Sequence, residues 1–187
     1  TRARVAAPCR GRRRGGGGVE SGDVARKRGR LDAVIAGLLF RAGLRRSGVS
    51  ALLWGAVAES AAGDGVLVTV RRGKTNPAGE ARDARFVKGG VAVALRTLRD
   101  ASSAGPGDRV VPLSPQMVGL RFQASARAAG VEPVTAHSGR VGLASELTRR
   151  GASTTDVMLA GNWKTSRMVA HYSSGATAER GAVAQYL

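Results

Sequence analysis

Acidic residues, aromatics, histidine and cysteine are all scarce in this chain, and each shortage narrows what it can be. Asp and Glu number 13 against 30 Lys and Arg, leaving a formal net charge of +17 at pH 7. A balance this basic predicts a polyanionic partner, most simply nucleic acid. The single cysteine, Cys9, excludes an internal disulfide and fits a reducing cytoplasm. With one Cys and two His, no Cys/His cluster has metal-ligand spacing. Aromatics make up only 4% of the residues, so a core must be built from Ala, Val and Leu. No apolar run approaches the length of a membrane span, and no secretory signal pattern is present. Glycine is abundant, yet no Gly-rich loop runs into Lys-Ser or Lys-Thr, and there is no G-x-S-x-G elbow.

What remains is enough for one domain. The chain has 187 residues, 43% of them hydrophobic, which supports a sizeable core. Residues 1–30 carry ten of the Lys and Arg against two acids, Glu20 and Asp23. Eight of the seventeen net positive charges therefore lie there and nine in the remainder, so the excess persists without the first segment. That segment, with GRRRGGGG at 11–18, has too little apolar surface to order itself and reads as a basic linker. A folded domain over 31–187 is expected to follow. The chain starts at Thr1 rather than Met, which fits a piece of a longer protein.

From Leu31 onward local signals alternate between helix and strand. Leu31, Val34, Ile35, Leu38 and Leu39 mark an amphipathic helix stopping near Gly43. Ser47 is expected to cap a short second helix carrying Val49, Leu52 and Leu53. Arg45 then sits in the turn between the two. Val66 to Arg71 and Ala84 to Lys88 are β-branched runs separated by GKTNPAGEARD, which predicts an antiparallel hairpin with a long loop. Val91, Ala94, Leu95 and Leu98 form another helical stripe. Ser114 followed by Pro115 opens a helix that runs to about Ala129. The fold class is mainly α with a small antiparallel β-sheet.

The stretch 135–174, TAHSGRVGLASELTRRGASTTDVMLAGNWKTSRMVAHYSS, carries the chemistry. Val141, Ala144 and Leu147 recur at helical spacing, and Gly151 behind Arg149 and Arg150 stops that helix. Ser153 and Asp156 form a capping-box start for the next, which ends at Gly161. Thr165 or Ser166 opens a third, short helix with Met168, Val169 and Tyr172. His137 and Arg140 are three apart and share a helical face. An Arg fork pairs with two phosphate oxygens, and a neighbouring His donates a hydrogen bond or moves a proton. A Tyr brought to the same place is a candidate nucleophile. The pattern H-x-x-R alone is short, and by itself reads more simply as surface residues.

H-x-x-R, a capped helix, G-N-W and then Tyr172 nine residues after Trp163 together resemble the catalytic domain of the tyrosine recombinases, the phage-integrase type. The string AGNWKTSRMVAHYSSGATAERGAVAQYL is similar to integrase C-termini from mobile elements. The resemblance extends to G-L-R at Arg45, although Gly48 stands where the family carries a Glu, and to Lys74 in the hairpin loop. It implies that Arg45, His137, Arg140 and Trp163 bind the scissile phosphate of DNA, that Lys74 protonates the leaving oxygen, and that Tyr172 attacks. Arg46, Arg71, Arg72, Lys164 and Arg167 are the accompanying candidates for DNA-backbone contact. Arg46 is also an alternative to Arg45, Arg71 and Arg72 are alternatives to Lys74, and Tyr186 is a second tyrosine without Tyr172's partners. The resemblance further implies double-stranded DNA as partner, a homotetramer on paired sites when complete, no cofactor or metal, and a location in the cytoplasm on the nucleoid. It covers about 31–187 and not the N-terminal helical domain that integrases place on the other side of DNA. A DNA-binding remnant that no longer cuts, or a basic RNA-binding protein, would account for the charge as well.

Overall fold

A computed structural model describes residues 22–70, 83–131 and 134–179, apart from the side chains of Asp23, Val24 and Asp83. Seven α-helices and one small sheet lie within them. Helix α1 spans Gly22–Phe40, α2 Arg46–Ala51, α3 Gly90–Asp100, α4 Pro115–Ala128, α5 Ser138–Arg149, α6 Thr154–Gly161 and α7 Ser166–Glu179. Strands β1 Val57–Glu59, β2 Gly65–Val70 and β3 Asp83–Lys88 make an antiparallel sheet in sequence order. In its register Val68 faces Val57 on one side and Arg85 on the other. The fold is mainly helical with a small antiparallel sheet.

The first core gathers α1, α2, α3, α4 and the sheet. Val34, Ile35, Leu38 and Leu39 of α1 are fully buried, as the period of apolar residues predicts. They meet Leu95 of α3, Val118 of α4, and Val66, Val68 and Val87 from one sheet face. The alternate residues Leu67 and Phe86 are paired across β2 and β3 on the opposite, exposed face. A second core holds Leu143, Ala144, Val157, Trp163 and Val169, from α5, α6 and α7. Helix α5 forms the wall between them, packing on α1 on one side and on α6 and α7 on the other.

Four boundaries differ from the sequence-based expectation. Helix α1 begins at Gly22, so residues 22–30 of the expected linker are helical. These turns have no apolar face to bury. They are held locally by Arg26 on the Gly22 carbonyl at 3.1 Å and from outside by Arg121 of α4 on the Arg28 carbonyl at 3.3 Å. Helix α2 starts one residue before Ser47, with Arg45 as its N-cap, and ends before Leu52 because Leu53 turns into an extended bridge with Arg109. Strand β1 has only three residues, too few to show a period in the sequence. Helix α7 runs on through Glu179, longer than the short helix around Tyr172 that the sequence predicts, so the Ala-rich stretch 173–179 is helical. Its last turn is tied to α5 by Arg149 on Glu179 at 3.2 Å. The caps of α4 and α6 are as the sequence predicts: Ser114 accepts from the Met117 N–H at 3.2 Å, and Ser153 and Asp156 form a reciprocal capping box.

Two exposed ion pairs brace the surface of these units. Arg96 donates to Glu59 at 2.6 Å and Arg150 to Glu146 at 2.7 Å. The hydrogen bond from Arg96 holds the Glu59 carboxyl below its ordinary range, and that from Arg150 does the same for Glu146. Depressed carboxylates contribute stability above their unfolded-state range, near about pH 4, and lose it as pH falls through the lower folded-state values. Thermal melts of the parent, Glu59→Gln and Glu146→Gln should therefore show a small parent advantage at neutral pH that closes in acid. An advantage that persisted below about pH 3 would rule out this linkage.

Candidate active site

The turn Thr135–Ser138 sets up the start of α5. The Ser138 hydroxyl accepts from the Thr135 N–H at 3.0 Å, and the Ser138 N–H donates to the Thr135 carbonyl at 2.9 Å. His137 becomes the N-cap residue of α5 and projects into solvent, while Arg140, one turn on, faces inward at 5% exposure. Helix α5 can approach α1 this closely because residue 139 is glycine: a Cβ there would meet the Leu39 main chain at 2.9 Å. Opposite, the α1–α2 turn presents Arg45 and Arg46. Arg45, Arg46, Ser47, Thr135, Ala136, His137 and Arg140 line one cleft of about 380 Å³.

Among the described residues no carboxylate lines this cleft. Arg45 and Arg46 are exposed and have no acidic partner among the described residues. These two side chains present positive charge on a low-dielectric wall, which concentrates anions. Arg140 forms the floor. It donates to the Gly43 carbonyl, in the turn after α1, and to the Gly161 carbonyl at the end of α6 at 2.8 Å. Its guanidinium lies over the Trp163 ring at 4.9 Å.

Tyr172 comes to the same place from α7. Its ring meets His137 edge-on at 5.3 Å between centroids, and lies tilted against Trp163 at 5.8 Å. His171 contacts the same ring at 5.6 Å. The Tyr172 hydroxyl makes no hydrogen bond among the described residues. Of the expected residues, Arg45, His137 and Arg140 line the cleft, while Tyr172 packs on His137 and Trp163 lies against the Arg140 guanidinium. Lys74, Arg71, Arg72 and Tyr186 lie outside the described residues. Lys164 and Arg167 are exposed in the α6–α7 region and do not line the cleft.

Trp163 is 3% exposed and anchors the second core, and its indole N–H is buried without an acceptor among the described residues. It packs between the Arg140 guanidinium and the Tyr172 ring. The chain reaches it through Asn162, whose left-handed φ of 49° ends α6. Gly161, Gly43, Thr135 and Ala136 escaped the sequence-based reading of the site, because what they contribute is a carbonyl, a close approach or a piece of main chain. Among the described residues no group of three His, Cys, Asp or Glu is placed to hold a metal ion. No described helix is long and apolar enough to cross a membrane.

A helical domain with a small antiparallel sheet and this set of residues defines the catalytic-domain class of the tyrosine recombinases. The chain belongs to the phage integrase family, whose profile matches residues 24–179. Among solved structures it is similar to the XerA recombinase, at TM-score 0.64 and 17% identity, over 83% of this chain and 60% of that one. It is similar to the XerH site-specific recombinase bound to palindromic difH substrate, at TM-score 0.62 and 13% identity, over 89% and 47%. A lambda integrase dimer bound to a core site matches at TM-score 0.54 and 15% identity, over 81% and 57%. The chain spans about half to three-fifths of the length of these structures. No curated protein matches it.

The packing around Trp163 yields a paired test. A Cβ at Gly161 would sit 1.9 Å from the indole ring, whereas one at Gly175, in the middle of α7, meets nothing within 4 Å. Gly161→Ala is expected to destabilise by about 1–3 kcal/mol through overpacking, and Gly175→Ala to stabilise by up to about 1 kcal/mol. Urea denaturation of both variants checks the pair. Equal effects would show that Trp163 is free to move.

Proposed function

We propose that this chain carries the catalytic domain of a site-specific DNA recombinase, over about residues 31–187, which cleaves and rejoins DNA through Tyr172. The observation that carries the reading is the basic cleft lined by Arg45, Arg46, His137 and Arg140, with the Tyr172 ring packed against its His137 edge. A DNA phosphodiester is the anion that suits it, given the net charge of +17.

In this scheme Arg45, Arg140 and His137 hold the scissile phosphate. A free Tyr hydroxyl has a pKa near ~10, so the phenol gives up its proton as it attacks, to His137 beside its ring. The surrounding cations favour the anionic oxygen and the charge that builds on the phosphate. The Tyr172 oxygen forms a bond to phosphorus, and the bond from phosphorus to the 5′-oxygen breaks. Lys74 delivers a proton to that leaving oxygen, and a 3′-phosphotyrosine ester remains. A 5′-hydroxyl from a second strand reverses the step, so the bond energy is conserved without ATP. Trp163 holds the nucleophile's helix against α5.

Arg46, Arg71, Arg72, Lys164 and Arg167 contact the backbone of duplex DNA. Each neutralised phosphate adds about −0.9 to the slope of log affinity on log salt. XerH and lambda integrase were solved on DNA, and the complete protein is read as a homotetramer on paired sites, acting at the nucleoid.

Covalent trapping on nicked, labelled duplex DNA tests the chemistry. The parent is expected to give a denaturation-resistant adduct, and Tyr172→Phe none. Arg140→Ala should lower the trapping rate by about 100-fold or more, the size of losing one preorganised donor to a developing charge. An adduct that survives Tyr172→Phe moves the nucleophile to Tyr186. Tight, salt-sensitive DNA binding without an adduct points to a non-cutting remnant or to a fragment that cuts only with an N-terminal domain, which trapping with an N-terminally extended protein separates; stronger binding to RNA than to duplex DNA marks a basic RNA-binding protein.

A further inference from the structure

We propose that Ser145 is a positioning residue for Tyr172, through a hydrogen bond from its hydroxyl on α5 to the main chain of the nucleophile on α7. The inference rests on the reading of Tyr172 as the nucleophile. The Ser145 hydroxyl donates to the Tyr172 carbonyl oxygen at 2.9 Å, in a half-buried position.

A serine inside a helix ordinarily turns back on the carbonyl four residues earlier. Ser173 does this, onto Val169 at 2.8 Å, and Thr97 likewise onto Val93 at 2.8 Å. Ser145 instead spends its proton across the interface. A carbonyl oxygen has two lone pairs, so Tyr172 can take this bond and keep its own helical one.

The consequence is geometric. The reactive end of Tyr172 has no hydrogen bond among the described residues, and its ring is held by edge and tilted contacts and by apolar packing on the second core. The polar contact that registers this residue against the site is therefore made at its carbonyl, one bond from its Cα. The partner is on α5, the helix that also presents His137 and Arg140. Ser145 thus couples the nucleophile's position directly to the phosphate-binding pair while leaving the phenol oxygen free to react. Near-attack placement is sensitive to displacements on the order of 1 Å, and sliding α7 along α5 is the motion this bond resists. Apolar packing of Leu143, Leu147 and Val169 remains without it, so the fold does not depend on it.

Four chains test the proposal: parent, Ser145→Ala, Ser145→Val and Ser145→Thr. Val and Thr have the same shape and differ in the hydroxyl. Each is labelled with fluorotyrosine, and the Tyr172 resonance is assigned by its loss in Tyr172→Phe, which separates it from Tyr186. The Ala and Val variants are expected to move that resonance toward the solvent-exposed position. At saturating DNA they should trap about tenfold more slowly, with DNA affinity unchanged, while Thr keeps the parent values of both. A Val variant that matches Thr in resonance or in trapping rate overturns the proposal, since a merely structural serine would shift melting temperature alone. If the parent itself forms no adduct, the recombinase reading fails and the resonance alone decides: movement in Ala and Val but not in Thr upholds the coupling, and its absence overturns it.

Discussion

A buried arginine is the constraint from which the rest of this structure follows. Arg140 sits among apolar groups at 5% exposure, where an unpaired guanidinium would be prohibitively expensive. The fold brings two main-chain carbonyls to it, Gly43 in the turn after α1 and Gly161 at the end of α6. These two acceptors orient the planar fork beneath the cleft. One side chain thereby joins two cores.

The carbonyls are well chosen electrostatically. Gly161 ends α6, where the helix dipole places partial negative charge, and α6 has no basic residue of its own in that turn. Its cations come from elsewhere in the fold: Arg140 on Gly161, and Arg85 of β3 on the Leu159 carbonyl at 3.5 Å. Both are buried. Removing Arg140 would therefore leave two buried carbonyls short of this donor, one in the turn after α1 and one at the end of α6, as well as an emptier site. This is why a stability measurement belongs beside any activity measurement on that residue.

Local signals were legible in the sequence and long-range ones were not. The caps at Ser114 and Ser153, the apolar stripe of α1 and the hairpin runs act over a few residues, so their patterns survive in one dimension. The polar first turns of α1 carry no apolar period, and three residues of β1 carry no alternation. The order Arg45, His137, Arg140, Trp163, Tyr172 could be matched to a family because the chemistry fixes residue type. The bond from Arg140 to Gly43 spans 97 residues and ends on a carbonyl, a group every residue has. Nothing in the letters marks which one is used. Ser145 is hidden for the same reason.

Trp163 is what stiffens this site. Its N–H is buried without an acceptor among the described residues, which sacrifices about 1–3 kcal/mol of solvation. The compensation is contact: the indole fills the second core, lies under the Arg140 guanidinium and backs the Tyr172 ring. A smaller polar residue at 163 could reach a phosphate more easily, but it would leave a void between Arg140 and Tyr172. The cation would lose its face and the tyrosine its backing together. The glycine two residues earlier, with no room for a Cβ, is the sequence's concession to that ring. Rigidity here is supplied by volume and the charge by an arginine held on carbonyls, and α5 carries the contact between them.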